Sequence, residues 1–268
     1  MQALNRMGVV MVTGKQAIRA IPQKGRGEMV EAALRKAIVL GTLEPGAALR
    51  ELELADRVDC AQGTVREALM RLSEEGLVPR RARRDTHVAT ASPEDVDELL
   101  RIRHDIECRA ARRIIAARDT ALVADLGHML QAMRLAALEG DEYALLEQDC
   151  QFHLRLFEAA ATPMVEPVLQ RCLVHTQRYK VLNTVPGQRD LLNTANRHVA
   201  IIEAVETGQP EPLTRALSHH IATIVDFGPT VFAPATETRP CPRRSALPRK
   251  CAPFWTGNWP RTGRCPTR

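Results

Sequence analysis

Aromatic side chains are scarce in this 268-residue chain: two Trp, two Tyr and five Phe make up 3% of it. That scarcity disfavours an aromatic-rich β-sandwich, and the 45% of hydrophobic residues points instead to helices packed through Leu, Ala, Val and Ile. No apolar run approaches the roughly 20 residues that cross a bilayer, and Val9 to Val12 is too short for a secretory core, so no membrane partner is expected. The seven cysteines are odd in number and include no C-x-x-C pair, which argues against a disulfide framework or a zinc ribbon. A reducing, cytoplasmic location fits that usage.

What the chain does have is charge in blocks. The formal total of +5 hides three parts. Residues 1–92 hold fifteen basic and eleven acidic side chains, residues 93–228 fourteen and twenty, and residues 229–268 eight and one. The chain is therefore basic, then acidic, then strongly basic, and only the first and last parts suit a polyanion. The last forty residues also carry eight of the 17 prolines and both tryptophans with no helical or strand period, so a disordered tail is expected there. Residues 1–24 are expected to form a flexible arm, 25–92 a DNA-binding domain and 93–228 a helical domain.

Periodicity predicts helices from about Glu28 to the Gly41 stop, over Glu51–Val58, and over Thr64–Glu75 with Val65, Leu69 and Leu72 on one stripe. Leu77-Val78-Pro79 and Thr86-His87-Val88-Ala89 read as a small hairpin around the basic turn Arg80–Asp85. Ser92-Pro93-Glu94-Asp95 is a helix start, with a capping hydroxyl, a proline at N1 and acids in the first turn. Six helices should follow, over 93–117, 120–139, 141–161, 163–182, 188–207 and 210–227. The fold class is thus mainly α: a winged helix-turn-helix followed by an antiparallel helical bundle.

In a winged helix-turn-helix the third helix enters the DNA major groove with its N-terminal residues at the base edges. Gln62, Thr64 and Arg66 stand there. Gln pairs bidentately with adenine, Thr touches a thymine methyl or a phosphate, and Arg forks onto guanine or a phosphate. A solvated helix charge is the plainer role for Arg66. The run Thr64-Val65-Arg66-Glu67-Ala68-Leu69, with Arg71-Leu72 and Glu75-Gly76-Leu77-Val78, resembles the DNA-binding domain of GntR-type regulators. The resemblance implies that Arg66 contacts DNA, that Thr64 stands at a contacting position, and that Arg84 lies on the wing. The family's usual Ser-Arg-Thr is Ala61-Gln62-Gly63 here, and its wing glycine is Asp85.

In the acidic half, Leu146, Asp149, Cys150, His153, Leu154 and Phe157 share one inward stripe, so Asp149 and His153 are neighbours at i, i+4. His198 falls in the stripe Leu191, Leu192, Ala195, Val199, Ile202, Val205, and His220 in Leu213, Ala216, Leu217, Ile221, Ile224. Hydrogen bonds would satisfy any one of these polar groups. Four of them aimed into one bundle also suit a divalent cation, and three imidazoles with a carboxylate fit Zn, Ni, Mn or Fe. His219 should face away, and His87, His104, His128 and His175 have no assigned role.

The acidic half resembles the helical ligand-binding domain, abbreviated FCD, of the FadR-like branch of the same regulators. Leu99-Leu100-Arg101-Ile102-Arg103 with Glu107, Asp149-Cys150-Gln151-Phe152-His153, Arg197–Val205 and Arg215–Ile221 carry the likeness. It implies a metal held by Asp149, His153, His198 and His220, and a small carboxylate effector with Arg103 as a candidate anchor. Arg103 is equally a candidate for an ion pair with Asp149 or Glu107. The expected function is a homodimeric transcription regulator, a repressor in the commoner case, on palindromic double-stranded operator DNA. Two alternatives remain at this level: a metal-dependent enzyme on a small organic acid, although no HExxH motif or evident general base accompanies the cluster, and a structural-metal dimerisation module.

Overall fold

The computed structural model describes residues 25–79, 86–184, 187 and 189–224, and all of them fall within one compact unit. The expected N-terminal arm, the basic turn with Arg84, and the basic tail lie outside the described residues. Ten helices are present among those described. The first three are α1 (Arg26–Val39), α2 (Glu51–Arg57) and α3 (Gln62–Glu74). They close on each other through Val30, Leu34, Ile38, Leu54, Val65, Leu69 and Leu72, all buried. α3 begins two residues earlier than its apolar stripe implied, so Gln62 is its first helical residue rather than part of the preceding turn.

No strand forms among the described residues. Thr86–Val88 pairs mainly with the segment after α1: Leu49 N–H donates to Thr86 O, Val88 N–H to Ala47 O and Gly46 N–H to Val88 O. Its bond to the expected hairpin partner is Ala89 N–H to Leu77 O at 2.8 Å. Alternation of apolar residues identified an extended segment but not its neighbour, because pairing partners are set by tertiary packing.

The bundle comprises α4 (Pro93–Ala117), α5 (Leu122–Glu139), α6 (Glu142–Glu158), α7 (Glu166–Leu182), α8 (Leu191–Asn196), α9 (Val199–Glu206) and α10 (Pro210–Ala222). α4 starts on a full capping box: Ser92 Oγ accepts from Asp95 N–H, and an Asp95 carboxylate oxygen accepts from Ser92 N–H. Asp141 caps α6 and Asp190 caps α8 in the same way with one bond each. Leu126, Met133, Leu145, Phe152, Leu173, Leu213 and Leu217 fill the centre.

The helix expected over 188–207 is instead two. At the break, His198 N–H bonds to Ala195 O and Ile201 N–H to His198 O, both i to i−3, so the chain tightens to three residues per turn. The buried line becomes Ala195, His198, Ile201 and Ala204, while Leu192 of the expected stripe turns outward.

α7 is the element that both halves share. From Cys172 to Arg178 every residue is buried. Its His175 Nε2 lies 3.2 Å from Glu75 O at the end of α3, and its Arg178 Nε donates to Ile38 O in α1. Gly41 and Gly76 mark the closest approach. Each has φ near +78°, at 78° and 77°, and a Cβ on either would collide with Leu182 or Arg171 of α7.

Candidate metal centre and DNA-reading helix

The four polar residues that the stripes aimed inward meet. Asp149, His153, His198 and His220 are buried, and one potential ligand atom from each lies within 4.8 Å of the others. His153 Nε2 is 3.2 Å from His220 Nε2, and His198 Nε2 is 3.0 Å from Asp149 Oδ1. α6 delivers the Asp and the first His from one face, the break between α8 and α9 delivers His198, and α10 delivers His220. His219, the residue before it, is exposed.

The outer atoms of these groups are also held. Glu107 Oε2 lies 2.6 Å from His153 Nδ1, and Ala195 O lies 3.1 Å from His198 Nδ1. Each contact suits a ring proton on Nδ1, the tautomer in which Nε2 is available to a metal. Gln177 Nε2 donates to Asp149 Oδ2, and Gln177 Oε1 accepts from the Cys150 thiol at 3.1 Å. His220 Nδ1 has no hydrogen-bond partner among the described residues.

The electrostatics follow from burial and neighbours. Burial raises the Asp149 carboxyl, but His198 above all, then His153 and Arg103, hold it well below the ordinary range. Glu107 is likewise raised by burial and brought down to about 2 by Arg103 and His153. Burial lowers His153 and His220, the latter well below its usual value with further repulsion from the neighbouring imidazoles. Burial thus favours the neutral ring, the form in which an imidazole can coordinate. Burial and Asp149 push the Cys150 thiol up to about 12, so it stays a donor.

Arg103 takes part in the ion pair that was one of its two candidate roles. Its Nε donates to Glu107 Oε1 at 2.5 Å, and the residue is wholly buried. Nη1 and Nη2, the outer fork of the guanidinium, have no hydrogen-bond partner among the described residues. Glu107 thereby joins Arg103 to His153. Sequence spacing named Glu107 but did not place it against His153, and it did not find Gln177 at all, because every position from Cys172 to Arg178 is buried and no apolar stripe contrasts with it there.

At the other end of the protein, Glu51 at the start of α2 gathers two of the candidate DNA-reading side chains. Gln62 Nε2 donates to Glu51 Oε2 at 2.8 Å, and Arg66 Nη2 donates to the same oxygen at 2.8 Å. Both side chains are exposed, and Thr64 lies beside them on the first turn of α3. Arg84 is outside the described residues.

Residues 26–88 match the family described as bacterial regulatory proteins, gntR family, and residues 98–223 match the FCD domain. The chain belongs to the GntR family of transcription regulators, in the group whose second half is an FCD domain. It is 27% identical to the HTH-type transcriptional repressor RspR of Escherichia coli K12 over 76% of this chain and 89% of that one. It is 28% identical to a probable D-xylose utilization operon transcriptional repressor of Paenarthrobacter nicotinovorans, over 69% and 80% of the two chains. Among solved structures, a GntR regulator from Rhodococcus sp. RHA1 superposes with a TM-score of 0.59 at 25% identity, covering 73% of this chain and 93% of that one. E. coli McbR/YncC has the same fold at a TM-score of 0.60 and 21% identity, over 74% and 93% of the chains. This protein is thus a DNA-binding transcription regulator and not an enzyme, which removes the metalloenzyme alternative. No helix among the described residues is long and apolar enough to cross a membrane.

Proposed function

We propose that the protein is a homodimeric, cytoplasmic repressor that binds a palindromic operator through residues 25–92 and is controlled by a small carboxylate bound in residues 93–228 at a divalent metal centre. Asp149, His153, His198 and His220 would hold the metal. The observation that carries this is the buried convergence of four ligand atoms within 4.8 Å. The donor set fits a borderline cation such as Zn, Ni, Mn or Fe, and the bonds to His153 Nδ1, His198 Nδ1 and Asp149 Oδ2 hold the donors in a ligating orientation. When bound, the metal supplies a Lewis-acidic position for an anionic ligand. A purely structural metal fits the same donors less well, since it leaves the Arg103 fork unexplained.

Charge supports an acid as the effector. Apart from the imidazoles, the centre carries Asp149, Glu107 and Arg103, a single net negative charge, which a divalent cation reverses. The Arg103 Nη atoms, buried and without hydrogen-bond partners, then suit a carboxylate bidentately. α7 carries the consequence outward: Gln177 touches Asp149, while His175 and Arg178 on the same helix touch the ends of α3 and α1. An effector changes operator affinity only by preferring one arrangement of the reading helices over another.

On DNA, Arg66 and Gln62 leave Glu51 for base edges or phosphates, Thr64 adds a contact from the first turn of α3, and Arg84, outside the described residues, is a further expected contact. Arg66 is 58% exposed on its side chain, so Arg66→Ala should leave folding intact. In gel shifts this variant should weaken operator binding by about 1 to 3 kcal/mol, whereas His198→Ala should keep binding and lose the effector response. Operator affinity unchanged in Arg66→Ala would put the reading helix elsewhere.

A further inference from the structure

Between the DNA-binding half and the C-terminal part of α7 lies a second hollow, remote in composition from the Asp149 cluster, with a volume of about 390 Å³. Its walls include Pro45 from the segment after α1, Pro93 at the start of α4, and His175, Arg178 and Leu182 of α7. Arg178 is 2% exposed, yet no acid pairs with it among the described residues. Its Nε is spent on Ile38 O at 3.2 Å, and its buried Nη2 has no partner. The contrast is with Arg103 and Arg35, whose buried or half-buried guanidinium groups sit on Glu107 and Glu75. A buried cation without a counter-charge is expensive, and burial alone is what lowers the Arg178 pKa.

We propose that this hollow is a binding site for a small organic monocarboxylate with an apolar body. Arg178 supplies the charge and the N–H donor, while Pro45, Pro93 and Leu182 enclose the rest of the molecule. His175 adds no second cation: its Nε2 faces Glu75 O, and burial holds the ring at a pKa of about 4, hence neutral. One positive charge with one unpartnered nitrogen, Nη2, matches a single carboxylate and leaves a dianion such as phosphate uncompensated, while Tyr179 and Asn183 add polar edges to the apolar walls. Because the walls come from both halves, an occupant here would sit on the joint through which α7 meets α1 and α3.

The test is thermal unfolding of the full chain, dialysed against EDTA so that a carboxylate held by a metal does not contribute, with benzoate and inorganic phosphate as probes. Benzoate should raise the melting temperature of the wild type in a dose-dependent way, and phosphate should not. Arg178→Met, close in length but uncharged, should lose the benzoate response; Arg178→Lys, which keeps the charge without the fork, should need roughly ten times more benzoate. A wild type insensitive to benzoate, a full response in Arg178→Met or Arg178→Lys, or an equal response to phosphate would each overturn the assignment.

Discussion

Asp149 is charged in a place where only its neighbours permit a charge. It stands 7% exposed with imidazoles on one side and the Gln177 amide on the other. Removing any one of these partners strands a buried polar group, at a cost of about 1 to 3 kcal/mol. His175 offers a cleaner experiment because it lies away from the cluster. Burial lowers its pKa from 6.5 to about 4 despite the contact with Glu75 O. Between those values the unfolded chain binds more protons than the folded one, so stability is complete above the unfolded pKa and falls as the pH drops. Urea denaturation should show about 2 kcal/mol more stability lost by the wild type than by His175→Gln between pH 7 and pH 5. Equal losses in the two proteins would show that His175 is protonated in the folded state. The metal candidates were legible in the sequence because each interrupts an apolar stripe with a polar group. Glu107 was visible only as a motif position. Gln177 and Arg178 were not singled out, since on α7 nearly every position from 172 to 178 is inward and no stripe contrasts with them.

Among the elements, α7 joins the Asp149 cluster to the first three helices. Its residues face the Asp149 cluster, α1 and the end of α3 within two turns. Gln177→Leu removes the amide from Asp149 with little change of volume. The expected outcome is a ten- to hundred-fold loss of divalent-metal affinity, the usual scale for a residue that orients a ligand, read by competition with a chromophoric chelator. Unaltered affinity would show that the amide does not position the carboxylate. Element existence followed well from periodicity and caps: the Ser92-Pro93 start of α4 stands where the sequence placed it. Two details did not follow. The break at His198 rests on i to i−3 bonds that no residue there announces, since Asn196-Arg197-His198 contains neither glycine nor proline. The neighbour of Thr86–Val88 is a segment nearly forty residues earlier, a choice made by packing.

Across the whole molecule, the two family matches cover residues 26–88 and 98–223, and the formal charge changes from basic over residues 1–92 to acidic over 93–228. The aromatic scarcity with which the chain is marked also finds its counterpart: of the largest wholly buried side chains, one is aromatic, Phe152, and the rest are chiefly Leu. Phe152 packs edge-on against both His153 and His198, so a buried aromatic supports the candidate site itself. The proposed control turns on that site holding a metal, and the direct measurement is metal content. Full-length protein, incubated in turn with Zn, Ni, Mn and Fe(II) and then dialysed, should retain one divalent ion per chain by mass spectrometry for at least one of them, while a His198→Ala, His220→Ala double variant that still binds operator should retain none. Wild-type protein that keeps no metal under any of these conditions, or a double variant that keeps as much as the wild type, would contradict the account.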